Sequence, residues 1–240
     1  VGIASIPSRE NMLHKTINSL IYQADRIFVY LNGYKEVPEF LKNPKIEVFR
    51  SQSFGDFGDI GKMYRLFGVT TEIEGYFFTC DDDIVYPGDY VYNMINHIEN
   101  NNRKTIIGIH GIILNDIVKD YYRDRKVMAC LNTNPTNRFV HILGTGAMAF
   151  HTSAIKLSFD PDWLIDYKNM GDIHFALRCQ QLSIPMLCVK HDGDWLHYQD
   201  PKETIFDTHK NDCSKQTELV NNINWKINTI EQQYLIEQHV

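Results

Sequence analysis

The run Tyr76-Phe77-Phe78-Thr79-Cys80 leads directly into Asp81, Asp82 and Asp83, with Ile84-Val85-Tyr86-Pro87 behind them. Three adjacent carboxylates closing a buried strand repel one another, and a bound divalent cation relieves that repulsion. Carboxylate oxygens suit magnesium or manganese, which accept one or two protein ligands and leave other positions for phosphate oxygens of a substrate. Successive strand residues point to opposite faces, so Asp81 and Asp83 are expected to share one direction and Asp82 to take the other. The competing interpretation is a solvated acidic turn before Pro87, or a cap for the helix that follows. The apolar run ahead of the acids favours the ligand site.

The elements that must position these acids alternate in type. A short apolar strand over 1–6 is followed by Pro7-Ser8-Arg9-Glu10 and a helical pattern through Met12, Leu13, Ile17, Leu20 and Ile21, with Ser8 as its expected N-cap. Strands are predicted at 26–31, 46–49 and 76–83, a helix from Asp59-Ile60-Gly61-Lys62 to about Phe67, and another from Pro87 to Glu99. A strongly apolar strand over 105–114 comes next. In the second half, 127–131, 139–151 and 186–189 read as strands, 171–182 as a helix with Asp172 in its first turn, and 218–237 as an amphipathic helix. Strands alternating with helices predict an α/β domain with a mixed, mainly parallel sheet flanked by helices and an α+β second half. Ligands then belong at the carboxyl ends of the strands, where Pro7 to Arg9, Asn32 and the acids all lie.

The 240 residues show no linker, repeat or low-complexity stretch, so one domain over 1–240 is expected; it opens on a strand at Val1, as one module of a longer polypeptide would. Lysine and arginine number 24 against 30 acids, a net charge of −6, which lacks the basic footprint of a nucleic-acid binder. The five cysteines have no C-x-x-C spacing and read as buried thiols in a reducing compartment. No run approaches the length of a membrane span and the start carries no signal-peptide pattern, so a cytoplasmic protein is expected.

Taken together, the blocks Asp59-Ile60-Gly61-Lys62, Asp81-Asp82-Asp83-Ile84-Val85-Tyr86-Pro87 with Asp89-Tyr90-Val91, Gly108-Ile109-His110-Gly111, Arg125-Lys126-Val127 and Leu143-Gly144-Thr145-Gly146 resemble nucleotide-diphospho-sugar glycosyltransferases of the GT-A (Rossmann-like) fold. They are most similar to bacterial heparosan-capsule N-acetylglucosaminyltransferases. A weaker likeness to exostosin-type transferases lies in 143–151 and Asp172-Ile173.

The resemblance implies transfer of N-acetylglucosamine from UDP-N-acetylglucosamine, with retention, to a glucuronic-acid-ended polysaccharide, with Mn2+ or Mg2+ as cofactor. It also implies a glucuronyltransferase partner and peripheral docking at the inner membrane. In such an enzyme Asp83 is the preferred metal ligand, with Asp81 contacting the ribose and metal-bound water and Asp82 assisting. Pro7, Arg9 and Asn32 go to the nucleoside, Asp59 to the uracil imide, and Lys62 to a phosphate or the uracil edge, Gly61 allowing close approach. On position alone, Asp59 as a helix cap and Lys62 as a solvated side chain are equally good assignments, as is Arg9 on a helix surface.

Gly144, Thr145 and Gly146 let backbone approach a sugar, or simply make a tight turn. Asp172 is the catalytic carboxylate, steadying an oxocarbenium-like transition state; a favourable charge in a helix first turn is the plainer reading. GT-A enzymes often bring a last metal ligand from beyond the final core strand, where His191, His197 and His209 lie, and His197 is preferred, with Trp195 available to cover a sugar. Residues 198–213 are expected to form a lid, and His110 and His141 to be structural. Two rival functions are an inverting transferase with Asp172 as general base and a catalytically silent UDP-sugar-binding partner subunit.

Overall fold

Short runs of β-branched and aromatic residues form the strands of one large sheet. The structure is a computed structural model that describes residues 1–67, 73–157, 169–200 and 212–230. Its first strands are β1 (Gly2–Ser5), β2 (Ile27–Leu31), β3 (Ile46–Arg50), β4 (Tyr76–Asp81) and the short β5 (Ile84–Val85). Then come β6 (Ile106–Gly108), β7 (Gly111–Leu114), β8 (Arg125–Met128), β9 (Arg138–Phe139), β10 (Ile142–Leu143), β11 (Ala147–His151), β12 (Met186–Cys188) and β13 (His197–Tyr198). The helices are α1 (Glu10–Leu20), α2 (Ser51–Phe54), α3 (Tyr90–Asn100), α4 (Gly171–Gln181) and α5 (Ser214–Asn221).

Eight strands in the order β3-β2-β1-β4-β11-β6-β12-β9 make the main sheet. The β3-β2-β1-β4 half is wholly parallel. Beyond β4 the sheet is mixed, because β11 runs antiparallel to both β4 and β6, and β9 to β12, while β6 and β12 are parallel. A second sheet, β10-β7-β8, is antiparallel throughout. The chain is therefore α/β with helices on both faces of a large mixed sheet.

Alternate strand residues supply two cores. Ile3, Val29, Phe78 and Ile107 join Leu13, Leu20, Tyr90 and Met94 from α1 and α3 on one face. Ala4, Tyr30, Phe77 and Ile106 face Ile60, Met63 and Tyr64 of a 3-10 helix (Gly58–Leu66) and Phe175 and Ala176 of α4 on the other. Leu13 and Leu20 are fully buried, each worth roughly 1.5–3 kcal/mol.

Several sequence expectations shift. A 3-10 turn, Pro7–Arg9, precedes α1, and Arg9 rather than Ser8 occupies its N-cap position, without a side-chain cap bond. The helix expected from Asp59 is this 3-10 helix, which follows Phe57, so Asp59 does not cap it. The apolar run 105–114 is two strands: Gly108 packs beneath Leu143, the chain bends at Ile109–His110, and β7 leaves for the second sheet. The carboxyl-terminal helix begins earlier than expected and stops at Asn221, where the Trp225 indole N–H turns back to the Val220 carbonyl at 2.8 Å; residues 231–237 of the expected helix lie outside the described residues. Among the described residues no helix is long and apolar enough to cross a membrane.

Candidate functional site

The strand order reverses at β1, which has β2 on one side and β4 on the other, and ligand crevices form at the carboxyl ends of strands at such a point. Strand β4 stops at Asp81, so Asp82 and Asp83 sit in the turn to β5 rather than in the pleat. The Thr16 hydroxyl of α1 reaches the carbonyls of Asp82 (3.0 Å) and Ile84 (2.7 Å), and the Gln199 N–H donates to the Asp83 carbonyl at 2.8 Å. The turn breaks the expected alternation. Arg9 Nη1 bonds Asp82 Oδ1 at 2.9 Å and Asp83 Oδ2 at 3.1 Å, so those two acids share a cation, while Asp81 goes to Lys62. Burial pushes both carboxyls up; for Asp83, burial followed by the charges of Asp81 and Asp82 takes it to about 7, against the pull of Arg9 and Lys62.

Lys62 is buried, not solvated, and its ammonium is spoken for. Nζ bonds Asp59 Oδ1 at 2.6 Å and also Asp81 Oδ1. Burial opposes its charge, but the two carboxylates more than offset that and hold it protonated well above the ordinary range. Asp59 also accepts from the Thr145 hydroxyl at 3.3 Å, and its N–H donates to Asn169 Oδ1 at 3.2 Å. The close approaches at two of the glycines are to side chains of the protein. A Cβ on Gly61 would lie 2.5 Å from the Tyr30 ring, and one on Gly146 would lie 2.1 Å from Asp81 Oδ2. The close approach at Gly146 is thus to the Asp81 carboxylate, and the Tyr86 hydroxyl fixes both partners by accepting from the Asp81 N–H at 2.9 Å and donating to the Gly146 carbonyl.

A cavity of about 450 Å³ opens beside this network, lined by Asp59, Asp81, His110, Arg125, the 144–146 turn, Asn169 and Asp172. Asp172 stands in the first turn of α4 and its Oδ1 accepts from the Ile173 N–H at 2.9 Å. Burial pushes its carboxyl up to about 6, helped by the Asp59 charge and opposed by that hydrogen bond and by Arg125. His110 is pushed down to about 4 by burial and by Arg125, so its imidazole is neutral at pH 7. The cavity is therefore rich in fixed carboxylates, with one of them poised to titrate near neutrality.

No protein-family model and no curated protein matches this chain.

Of the residues expected in the site, Asp59, Asp81, Gly144, Thr145, Gly146 and Asp172 line the cavity together. Lys62 adjoins it through ion pairs to Asp59 and Asp81, while Arg9 pairs with Asp82 and Asp83 of the turn after β4. Asn32 is buried at the same sheet edge, donating from Nδ2 to the Gly58 carbonyl at 2.9 Å, while its Oδ1 is buried without a partner. Pro7 is exposed on the turn after β1. His197 is exposed on β13, paired across from Val85 of β5, which brings it to the flank of the acidic turn. His191 is buried, with Nδ1 against the Val189 carbonyl at 3.0 Å and Nε2 without a partner. His209 and residues 201–211 of the expected lid lie outside the described residues. The Trp195 indole N–H bonds Asp89 Oδ1 at 3.1 Å and its ring packs on Tyr90.

His141 is structural as expected, accepting from the Leu114 N–H, but His110 is a cavity residue. Sequence reasoning also missed Arg125 and Asn169 as site residues. The positive φ of 67° at Asn169, unusual outside glycine, could not be seen in the sequence. Arg125 lay within a noted block, and its position before an apolar strand was its only signal.

Proposed function

We propose that the chain is a metal-dependent GT-A glycosyltransferase that moves N-acetylglucosamine from UDP-N-acetylglucosamine, with retention, to a glucuronic-acid-ended polysaccharide. The observation that carries this reading is the convergence of Asp81, from the end of β4 at a topological switch point, and Asp172, from a helix start, on one cavity. The volume, about 450 Å³, is in the range of small-molecule sites.

The donor set offers carboxylate oxygens only, as magnesium and manganese require. Among the described residues no three His, Cys, Asp or Glu side chains already converge on a cation position; a metal that shares its shell with a diphosphate needs only one or two of them. Asp81, the most exposed of the three acids at 36% of its side chain, and Asp83 fit that demand, with His197 on their flank. When bound there, the ion would supply Lewis-acid stabilisation of the charge on the departing diphosphate.

The chain's own residues do the rest. Lys62 keeps Asp59 and Asp81 in place, and the 144–146 turn walls the cavity around them. Asp172 offers a negative charge, in a partly desolvated wall, to positive charge developing on the sugar. The five unpaired cysteines accord with a cytoplasmic enzyme, and a glucuronyltransferase at the inner membrane is the partner this reading implies.

A second reading, an inverting transferase, draws support from the carboxyl of Asp172 at about 6, a value suited to a general base. The anomeric configuration of the product separates the two.

Calorimetric titration with UDP-sugars, first with manganese and then with chelator, tests the proposal when followed by a transfer assay on a glucuronate-ended oligosaccharide. Metal-dependent binding selective for UDP-N-acetylglucosamine, with transfer, is the expected result. No binding of UDP under manganese would make the acidic turn a structural feature.

A further inference from the structure

We propose that Arg125 is the anion anchor of the cavity and recognises a carboxylate on the acceptor sugar. The inference rests on the transferase reading for the identity of the acceptor, but its physical basis is separate. Arg125 opens β8, in the second sheet, and is the one lysine or arginine among the described cavity-lining residues. Its guanidinium lies over the rings of Tyr121 and Tyr122, 4.4 and 4.7 Å from their centroids. Its Nε is buried without a hydrogen-bond partner, and among the described residues no ion pair engages it.

Those facts set Arg125 apart from the other cations here. Lys62 and Arg9 are each neutralised by two carboxylates of the chain, and are occupied. Arg125 is held in orientation by the rings of Tyr121 and Tyr122 instead, with no carboxylate of the described residues paired to it. Arg125 lines the cavity, so the guanidinium N–H groups that face it can meet an oxyanion arriving there. A fixed planar fork over two rings is therefore arranged for a ligand that arrives with its own negative charge.

Two anions are available in the proposed reaction, the donor diphosphate and a carboxylate on the acceptor. The diphosphate belongs with the acidic turn, where Arg9 pairs with Asp82 and Asp83 and Lys62 with Asp81. The charge of Arg125 is felt instead by Asp172, His110 and Tyr121. Its place is thus on the Asp172 side of the cavity, with β8 rather than with β1 and β4. A neutral His110 beside it adds no competing cation. An acceptor whose terminal sugar carries a carboxylate would be drawn to Arg125 and held with its hydroxyls toward Asp172, while a neutral sugar would leave the guanidinium unmet.

Titration calorimetry of the wild type, Arg125→Gln and Arg125→Lys tests this with three probes: UDP with manganese, a glucuronate-ended oligosaccharide, and the same oligosaccharide with its terminal carboxylate reduced to the alcohol. The wild type is expected to bind the carboxylate form about tenfold or more tightly than the reduced form, the worth of one charge-assisted hydrogen bond. Arg125→Gln should lose that preference and Arg125→Lys should keep part of it, both with UDP affinity within about twofold of the wild type, which also reports that they fold. Equal binding of the two oligosaccharides by the wild type would overturn the inference. So would a fall in UDP affinity in Arg125→Gln with the carboxylate preference intact, since that assigns Arg125 to the diphosphate. Carboxylate preference that depends on Arg125 in a protein that binds no UDP would uphold the anchor while the transferase reading fails.

Discussion

The two walls of the cavity treat charge in opposite ways. On the strand side, Asp59, Asp81, Asp82 and Asp83 are matched by Lys62 and Arg9 in direct ion pairs. On the helix side, Asp172 and Arg125 share the cavity without an ion pair, one leaning on a backbone N–H and the other on aromatic rings. Paired charges hold each other in place, because removing either partner strands the other. Charges held apart keep their valence for something that comes from outside. The strand side is thus fixed by its own ion pairs, while the helix side keeps unpaired charge at the cavity.

The sharpest way to break this contrast is to strand a charge on the strand side of the cavity. Lys62→Met leaves Asp59 and Asp81 beside an apolar side chain, and a loss of about 3–5 kcal/mol in urea unfolding is expected, as for other broken buried pairs. Adding Asp81→Asn to it should restore part of the loss. If Lys62→Met alone is tolerated, the pairs are not the scaffold they look like.

The helix side should answer differently. Asp172→Asn is expected to cut transfer by about 10²–10⁴-fold with UDP affinity unchanged, and to stabilise the fold rather than weaken it. The folded carboxyl sits at about 6 against an ordinary 3.8, so the native state holds that proton more tightly than the unfolded chain does. Wild-type stability then falls as pH rises from about 4 through about 6, and at pH 8 the variant should gain about 1–2 kcal/mol. Wild-type transfer should move the other way, rising through pH 6 as the carboxylate ionises. A pH–rate profile and thermal melts at pH 5 and pH 8 check both signs.

The smallest change tests the seam between the walls. Gly146→Ala puts a methyl group against Asp81 Oδ2, and a cost of about 1–3 kcal/mol with weakened metal-dependent UDP binding is expected. Normal UDP binding in that variant would separate Asp81 from the donor.

Much of the strand side was legible in the sequence, because apolar runs ending in polar residues mark strand ends whatever the tertiary context. The direction of each acid was not. Asp82 and Asp83 leave the pleat because Thr16, Gln199 and Arg9 hold their turn, and all three come from distant parts of the chain. The same distance hid Lys62: a lysine at a helix start is ordinarily solvated, and only the meeting of the 3-10 helix with β4 buries it between two acids. Asp172 could be placed in a helix first turn from local pattern, while Arg125 and His110 carry no periodicity that distinguishes them. Their role depends on the second sheet folding back over the first, which a run of ten apolar-looking residues reads as one strand.

That run has a mechanical consequence. Strand β6 is anchored in the large sheet and β7 in the small one, with only Ile109 and His110 between them, and the small sheet carries Arg125. The spacing of the two sheets beside the cavity is thus set by short covalent joints, Ile109–His110 here and Val140–His141 between β9 and β10. A slip in side-chain packing would leave that spacing nearly unchanged, whereas one inserted residue at either joint would shift Arg125 relative to Asp81.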